Sequence, residues 1–344
     1  MILAGDIGGT KTKLAVCEPD ATTGGVAGAL RVVREAEFPS GQHPSLEAIL
    51  DEFLGGPAVP VAACFGVAGP VEGGIARITN LPWTIEARAL SARLGGAPVA
   101  LLNDLQATAL GALALPPSAF ATLQAPAGPP VPHATIAVIA PGTGLGEAVL
   151  ASDGARYRAL PSEGGHADFA PTTDEEIELL RFMRARHGGH VSVERVLSGA
   201  GIGDLYDFVR AARGATEPEP AALGVGDRNA AISGAALAGS DPDCVHALAL
   251  FVALLGAEAG NHALRSLALG GVVIGGGIPP KILPLLQAGP LIERFNDKGR
   301  FRRLTSTLAV RVMLEPRAAL IGAAHHAAQL ATPAPPATTI RGEP

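Results

Sequence analysis

Cysteine is scarce in this sequence, and its few copies lie far apart. Only 3 occur among 344 residues, as Cys17, Cys64 and Cys244. No CxxC pair is present, and three separated thiols supply neither a disulfide framework nor a structural zinc site. We therefore expect a cytoplasmic protein without structural zinc.

Charge and long apolar runs are also limited. The net charge is −6 and 17% of the residues are charged, which leaves no basic surface for nucleic acid. The longest apolar run, residues 247–257, has about eleven residues where a membrane-spanning helix needs about 20. Residues 1–4 lack a basic lead-in and a cleavage-like site, so they predict a strand and not a signal peptide. We expect no nucleic-acid partner, no membrane partner and a buried helix at 247–257.

Aromatic residues reach only 4%, whereas apolar residues make up 48% and glycine occurs 44 times. This composition is typical of a well-buried α/β protein. Because 344 residues exceed the usual size of a single core, two lobes with a cleft between them are expected.

Two segments follow the same plan of strand, glycine turn and strand. The first covers residues 2–16 and the second residues 135–150, which indicates a duplicated architecture. Alternating patterns between and after them predict strands at 61–67, 99–102 and 308–314, and helices at 45–54, 85–94, 174–186 and 318–330.

Proline-rich segments, loop residues and helix caps give the remaining predictions. Residues 124–133 contain four prolines and predict a linker near a lobe junction, and 217–227 predict a surface loop. Thr172 or Thr173 should cap the helix at 174–186, and a further helix is expected after Ser192. The Pro/Ala/Thr tail from residue 331 is expected to be disordered.

The first glycine segment, Gly5-Asp6-Ile7-Gly8-Gly9-Thr10, nearly matches a P-loop. Thr10 stands where that motif requires its last glycine, and the following residues favour a strand over a helix. A hairpin turn remains, in which bare backbone N–H groups and the Thr10 hydroxyl can approach phosphate oxygens. Asp6 could hold nucleotide-bound magnesium through water. An ordinary glycine-rich hairpin is the alternative.

Two further glycine clusters are present. Gly142-Thr143-Gly144 repeats the turn in the second segment, and residues 271–277 follow the next buried strand. Two turns could hold phosphates from opposite sides, and the third cluster could place an adenine ring against bare backbone. Loop punctuation explains any one of these clusters more readily than all three.

Polar residues appear at three more places. Asn103-Asp104 follows a buried strand, where parallel sheets carry site residues, although Asp104 read alone favours a helix cap. Glu163-Gly164-Gly165-His166, with Asp168 as a possible third ligand, could suggest a metal. A polyhydroxyl ligand suits the segment better, since no second His or Cys lies at helical metal spacing nearby and HExxH is absent. The alternative is that this segment is a purely structural loop. Glu194 read alone compensates a helix dipole.

Eight segments in order resemble the bacterial glucokinase family. They are GDIGGTKTKLAV, ITNLPW, LLNDLQATA, APGTGLGEAVL, PSEGGHADFAP, HVSVERVLSGAGI, GGVVIGGGIPP and FNDKGRF. The resemblance runs from about residue 2 to 325 and implies the two-lobed, duplicated ribonuclease H-like fold of actin-like ATPases, with a small and a large α/β domain around a cleft. The domains implied are 1–113 plus about 309–330, then 114–308, with 331–344 as a tail.

The resemblance also implies roles. It assigns residues 5–10, 142–144 and 275–277 (Gly275, Gly276, Gly277) to ATP, with Asp6 near magnesium. Asn103, Asp104, Glu163, His166 and Glu194 are assigned to the hexose. Asp104 becomes the catalytic base, which replaces the cap interpretation. The implied reaction is transfer of the ATP γ-phosphoryl group to the 6-hydroxyl of glucose by a homodimer.

Small departures accompany the resemblance. Ser162 stands where the family has glycine, and Glu147 places a carboxylate just past the second turn, where it would repel phosphate if it faced the nucleotide. The ROK (repressor, open reading frame, kinase) family carries a cysteine-rich zinc motif that three scattered cysteines cannot supply. A kinase for mannose, fructose or an N-acetylated sugar, another phosphoryl donor (ADP or polyphosphate), and a non-catalytic sugar sensor remain the alternatives.

Overall fold

The protein is described by a computed structural model, which covers residues 1–20, 30–56, 59–78, 81–224 and 226–332. The chain divides into two compact units. The first contains Met1–Leu115, Ser152–Ala159 and the described residues from Arg317 on, and the second contains Pro116–Ala151 and Leu160–Pro316.

Strands and helices alternate along much of the described chain. The strands are β1 Ile2–Ile7, β2 Lys11–Pro19, β3 Leu30–Pro39, β4 Ala62–Val67, β5 Val71–Glu72, β6 Ile75–Arg77, β7 Thr84–Glu86, β8 Val99–Asn103, β9 Phe120–Gln124, β10 Ile136–Pro141, β11 Leu145–Ser152, β12 Tyr157–Ser162, β13 Val272–Ile274 and β14 Val310–Met313. The α-helices are α1 Leu46–Leu54, α2 Ala87–Arg93, α3 Asp104–Ala114, α4 Asp174–His187, α5 Gly199–Ala212, α6 Arg228–Ala238, α7 Pro242–Arg265, α8 Leu283–Ala288, α9 Leu291–Asn296, α10 Arg302–Thr305 and α11 Ala318–Ala331.

The first unit is built on a sheet with strand order β3-β2-β1-β4-β8. Both faces of its central strands are buried, so successive side chains enter different cores. Leu3 and Phe65 belong to the cluster that includes α1, whereas Ala4 and Cys64 pack with Leu320 of α11. This double burial explains why the strands read as apolar runs in the sequence.

The second unit is built on a sheet with strand order β12-β11-β10-β13-β14-β9. Helix α7 packs against α5, α6, α9 and β10 and contains the apolar run at 247–257, so the predicted buried helix is confirmed. By length and composition α7 could cross a membrane, but 72% of its most apolar window is buried inside the fold. It is the central core helix of this unit.

The two sheets repeat one strand order. In each, an antiparallel hairpin (β1-β2 and β10-β11) is followed by two parallel strands (β4-β8 and β13-β14). A third strand flanks the hairpin on its other side, as β3 and β12. The predicted α/β fold with a duplicated architecture is therefore confirmed.

Several expectations need correction. Residues 84–86 form strand β7, because Ile85 pairs with Ala76 and is buried, so the helix predicted from 85 starts at Ala87. After Ser192 only a short 3₁₀ turn, Val193–Arg195, forms, and the next α-helix begins at Gly199 behind its cap Ser198. Of the two candidate caps for α4, Thr173 is the residue whose side chain accepts from Glu176 N–H.

The predicted boundaries also differ from the units. Strand β14 pairs with β13 and β9 and so lies in the second unit, although the sequence had suggested the small domain from about residue 309. The proline-rich segment 124–133 likewise lies within the second unit, where Ala127 N–H donates to Thr307 O at 3.1 Å. The predicted tail falls outside the described residues from position 333.

Candidate active site

The first glycine turn, residues 8–10, joins β1 to β2 in the first unit. Gly8 N–H donates to Lys11 O at 2.9 Å, and the Ser40 hydroxyl donates to Gly8 O at 2.7 Å. Ser40 Oγ also lies 2.9 Å from Thr12 Oγ1, which is fully buried. The turn is thus held from behind by a buried hydroxyl pair.

Only part of the predicted segment is open to a ligand. Gly5 and Ile7 are buried, whereas Gly8 and Gly9 are half-buried and Thr10 is exposed. The accessible surface of this segment therefore belongs to turn 8–10.

Asp6 lies behind the turn and faces a second carboxylate. It pairs in register with Gly66 of β4, and a Cβ on Gly66 would lie 2.8 Å from Ala107 Cβ and 3.9 Å from Asp104 Cα. The missing side chain lets α3 begin directly over the sheet. Burial, and then the Asp104 carboxylate, raise the pKa of Asp6 from 3.8 to about 6, against the opposing pull of Lys13.

Asn103 and Asp104 occupy the carboxyl end of β8, as expected. The Asn103 side-chain oxygen accepts from Leu105 N–H at 2.9 Å and Gln106 N–H at 3.1 Å. Gln106 Oε1 accepts in return from Asn103 N–H, which completes a capping box. Asn103 is therefore the cap, and the interpretation of Asp104 as the cap was wrong, because Asp104 is already the first helical residue.

The second glycine turn, residues 142–144, joins β10 to β11 in the second unit. Its Gly142 O accepts from Gly199 N–H at 2.8 Å, so the first residue of α5 lies against it. Glu194 Oε2 accepts from Leu145 N–H at 2.9 Å. The same carboxylate occupies the space that a Cβ on Gly144 would need, which explains the glycine at that position.

Loop 163–166 lies beside this turn. His166 Nε2 is 3.8 Å from Glu163 Oε2, and His166 Nδ1 is 3.9 Å from Glu194 Oε1. The Glu163 and His166 side chains are 85% and 61% exposed and Glu194 is 31% exposed, so all three can reach a ligand. The structure brings the three predicted sugar ligands together, and Glu194 joins them to the second turn.

Asp168, the possible third metal ligand of this loop, is engaged with other residues. Asp168 pairs with His190 Nε2 at 2.9 Å and pairs its backbone with Ser192. No group of three or more His, Cys, Asp or Glu side chains suited to a metal occurs in the described part of the chain. The departures from the family are also accommodated, because Ser162 Oγ accepts from Gly164 N–H at 3.0 Å and Glu147 is buried instead of facing the turn.

The third glycine cluster, Gly275 to Gly277, follows β13 and directly precedes Ile278, which is one of the residues that line a cavity of about 240 Å³. Gly275 N–H donates to Ile139 O at 2.8 Å, which places the cluster against the strand that leads into the second turn. The cavity is lined by Gly199, Ile202, Asp227, Asn229, Ala230, Ser233, Gly234, Leu237, Ile278, Lys281 and Ile282. Sequence reasoning missed the α6 and Lys281 contributions, since no motif marked them.

Known proteins share this arrangement over almost the whole chain. The family described as "Glucokinase" matches residues 3–330. A glucokinase from Nostoc sp. is 42% identical over 96% of this chain and 99% of its own length. The crystal structure of a glucokinase from an Antarctic psychrotroph is 34% identical, with a TM-score of 0.84 over 95% of this chain and 98% of the other.

A more distant structure shares the fold alone. It is a ROK family glucokinase from Streptomyces griseus in complex with glucose and AMPPNP, at 22% identity and a TM-score of 0.59 over 95% of this chain and 99% of the other. The match of family, relatives and fold confirms the resemblance read from the eight segments. This chain belongs to the glucokinase family.

Proposed function

We propose that the protein transfers the γ-phosphoryl group of ATP to the 6-hydroxyl of glucose and releases ADP and glucose 6-phosphate. One observation carries the proposal most directly. A single carboxylate, Glu194, contacts Leu145 N–H at the second glycine turn with one oxygen and lies 3.9 Å from His166 Nδ1 with the other. Under this proposal the sugar ligands and the phosphate-binding turn belong to one site in the second unit.

The sugar side suits hydroxyl recognition. Glu163 and Glu194 offer carboxylate acceptors, and His166 offers a ring nitrogen that can donate or accept. Charge-assisted hydrogen bonds of this kind orient a small polyhydroxyl ligand firmly. We assign these three residues, with Asn103 and Asp104, to the hexose.

The chemistry requires one proton acceptor. In the proposed step the sugar O6 forms a bond to the γ-phosphorus, the bond to the β–γ bridging oxygen breaks, and the O6 proton passes to Asp104. Such a base contributes roughly 10²- to 10⁴-fold, and positioning and electrostatics supply the rest. Turns 8–10 and 142–144 provide backbone N–H groups for the phosphates.

The first unit also offers a group for magnesium. Asp6 is a half-buried carboxylate whose pKa is raised first by burial and then by the Asp104 carboxylate. It fits a divalent cation, because the cation relieves the repulsion between the two carboxylates. We propose that Asp6 holds the magnesium of MgATP through water. When bound, magnesium neutralises charge on the phosphates.

The cavity beside the third glycine cluster favours a nucleoside triphosphate over polyphosphate as the donor. Polyphosphate has no base to fill a space of about 240 Å³ lined by Ile202 and Ile278 with polar Asn229 and Ser233. We propose that the adenosine of ATP occupies it. A cytoplasmic location, a homodimer and a role in glycolysis complete the proposal.

A coupled assay across sugars and donors tests this function. We expect the highest kcat/KM for glucose with ATP among glucose, mannose, fructose and an N-acetylated hexose, each offered with ATP, ADP or polyphosphate. A higher kcat/KM for another sugar would reassign the substrate. Binding of glucose without turnover of any pair would instead support a sugar sensor.

A further inference from the structure

One buried carboxylate–imidazole pair in the second unit has no part in the proposed reaction. The side chains of Glu147 on β11 and His262 on α7 are 2% and 5% exposed. Glu147 Oε2 and His262 Nδ1 are 3.5 Å apart. Buried ionisable groups are costly unless they are paired, so their presence calls for a structural reason.

The imidazole is fixed by the strand that carries Glu147. His262 Nε2 lies 3.0 Å from Ala148 O, and a carbonyl oxygen can only accept, so Nε2 carries a proton and donates. Nδ1 is thereby turned toward Glu147. The ring links α7 to β11 and places its Nδ1 against the carboxylate.

The carboxylate in turn contacts loop 163–166 from beneath. A Cβ built on Gly164 would overlap Glu147 Oε2 and Cδ, so the carboxylate lies directly against the Gly164 backbone. Gly164 lies between Glu163 and His166 in the chain, and the side chains of both of these residues are exposed. The other carboxylate oxygen, Glu147 Oε1, is buried with no hydrogen-bond partner in the described residues. The carboxylate thus lies against the loop although only one of its two oxygens has a polar neighbour.

We propose that Glu147 is a positioning residue for hexose binding: held by His262, its carboxylate supports Gly164 and so fixes where Glu163 and His166 meet the sugar. The inference rests on the proposed function, since it takes these two side chains to be sugar ligands. Glu147 itself touches no substrate. Its loss therefore affects sugar affinity through loop 163–166 and leaves the nucleotide contacts in place.

Single variants give the first test. Glu147→Ala should raise the glucose KM about tenfold, because small displacements of binding groups are costly, while the ATP KM stays within twofold. Glu147→Gln keeps the shape and should stay near the wild-type glucose KM. The matched control is Glu258→Ala, since Glu258 is another buried acid of this unit and contacts Arg265 and Asn261 instead of the loop. It should lower stability and leave the glucose KM unchanged.

A double-mutant cycle tests the contact itself. Gly164→Ala alone should clash with Glu147 and raise the glucose KM. In Gly164→Ala with Glu147→Ala the overlapping carboxylate is gone, and the close neighbour that remains for the added methyl group is Ser162 Oγ at 3.1 Å. We expect the double variant to bind glucose at least fivefold better than the product of the single effects predicts. Calorimetric titration with glucose measures this without turnover, and far-UV circular dichroism with urea melts checks that each variant folds.

The outcomes separate the two proposals. If the wild type phosphorylates no sugar, the proposed function fails. If the wild type is active but the single effects simply multiply in the double variant, or Glu258→Ala shifts the glucose KM as much as Glu147→Ala, the positioning role is wrong. If Glu147→Ala does not fold, Gly164→Ala is compared with Gly164→Ala/Glu147→Gln instead. Gln is as long as Glu and cannot relieve the clash with the added methyl group, so both variants should show the same raised glucose KM. Recovery of the glucose KM with Gln would contradict the steric account.

Discussion

Replacing Asp6 by asparagine should stabilise the first unit at neutral pH while it removes activity. Folding raises the pKa of Asp6 from 3.8 to about 6, chiefly through burial and then through Asp104. A carboxyl group whose folded-state pKa lies above its unfolded value favours folding only when protonated. Its contribution is complete below about pH 4 and is lost as the pH rises through about 6.

The magnitude follows from this shift. The ionised carboxylate costs the folded state roughly 1.5 kcal/mol at pH 5 and roughly 3 kcal/mol at pH 8. Asparagine resembles the protonated form, so the free energy of unfolding of Asp6→Asn should exceed that of the wild type by about these amounts. Because the carboxylate is proposed to hold magnesium, the gain in stability should accompany a loss of turnover.

The assay can follow the first unit selectively. The chain has one tryptophan, Trp83, which is 5% exposed and lies in that unit, so its fluorescence in urea reports the unfolding of the unit that contains Asp6. Glu86→Gln, at an exposed carboxylate of the same unit, is the matched control and should change little at any pH. An advantage of Asp6→Asn that is equal at pH 5 and pH 8, or absent at pH 8, would refute the reasoning.

Two further predictions concern other parts of the site. Gly322→Ala should lower the free energy of unfolding by about 1–3 kcal/mol in urea melts and lower kcat, because its Cβ would overlap Ala107 O and displace α3 together with Asp104. Unchanged stability and unchanged kcat would contradict this contact. Glu194→Ala should raise the KM of both glucose and ATP, since Glu194 touches loop 163–166 and the second turn, whereas His166→Ala should raise the glucose KM alone. Equal patterns in the two variants, from initial rates with each substrate varied, would disprove the division of roles.

Local patterns predicted the two hairpins well. A glycine turn between two apolar strands can be recognised directly from neighbouring residues. Burial on both faces of a strand requires a continuous apolar run, such as residues 62–67. The repeated strand order could be anticipated from the repeated turn. The family segments then named Glu163, His166 and Glu194, and the structure places His166 within 4 Å of both its near neighbour Glu163 and the sequence-distant Glu194.

What the sequence did not predict depends on contacts between distant residues. Asn103 and not Asp104 caps α3, and only the reciprocal bonds with Gln106 decide between neighbours of similar capping ability. Residues 84–86 form a strand because Ile85 pairs with Ala76 of β6. The direction of Glu147 depends on His262, 115 positions later in the chain by the difference of their numbers, and no local pattern links the two.

The most direct test of the central claim is the turnover of Asp104→Asn with glucose and ATP. We predict that kcat falls by roughly 10²- to 10⁴-fold, while calorimetry shows glucose and ATP bound within a few-fold of wild-type affinity and Glu86→Gln retains full activity. A kcat for Asp104→Asn within threefold of the wild type would contradict Asp104 as the base and, with it, the proposed mechanism.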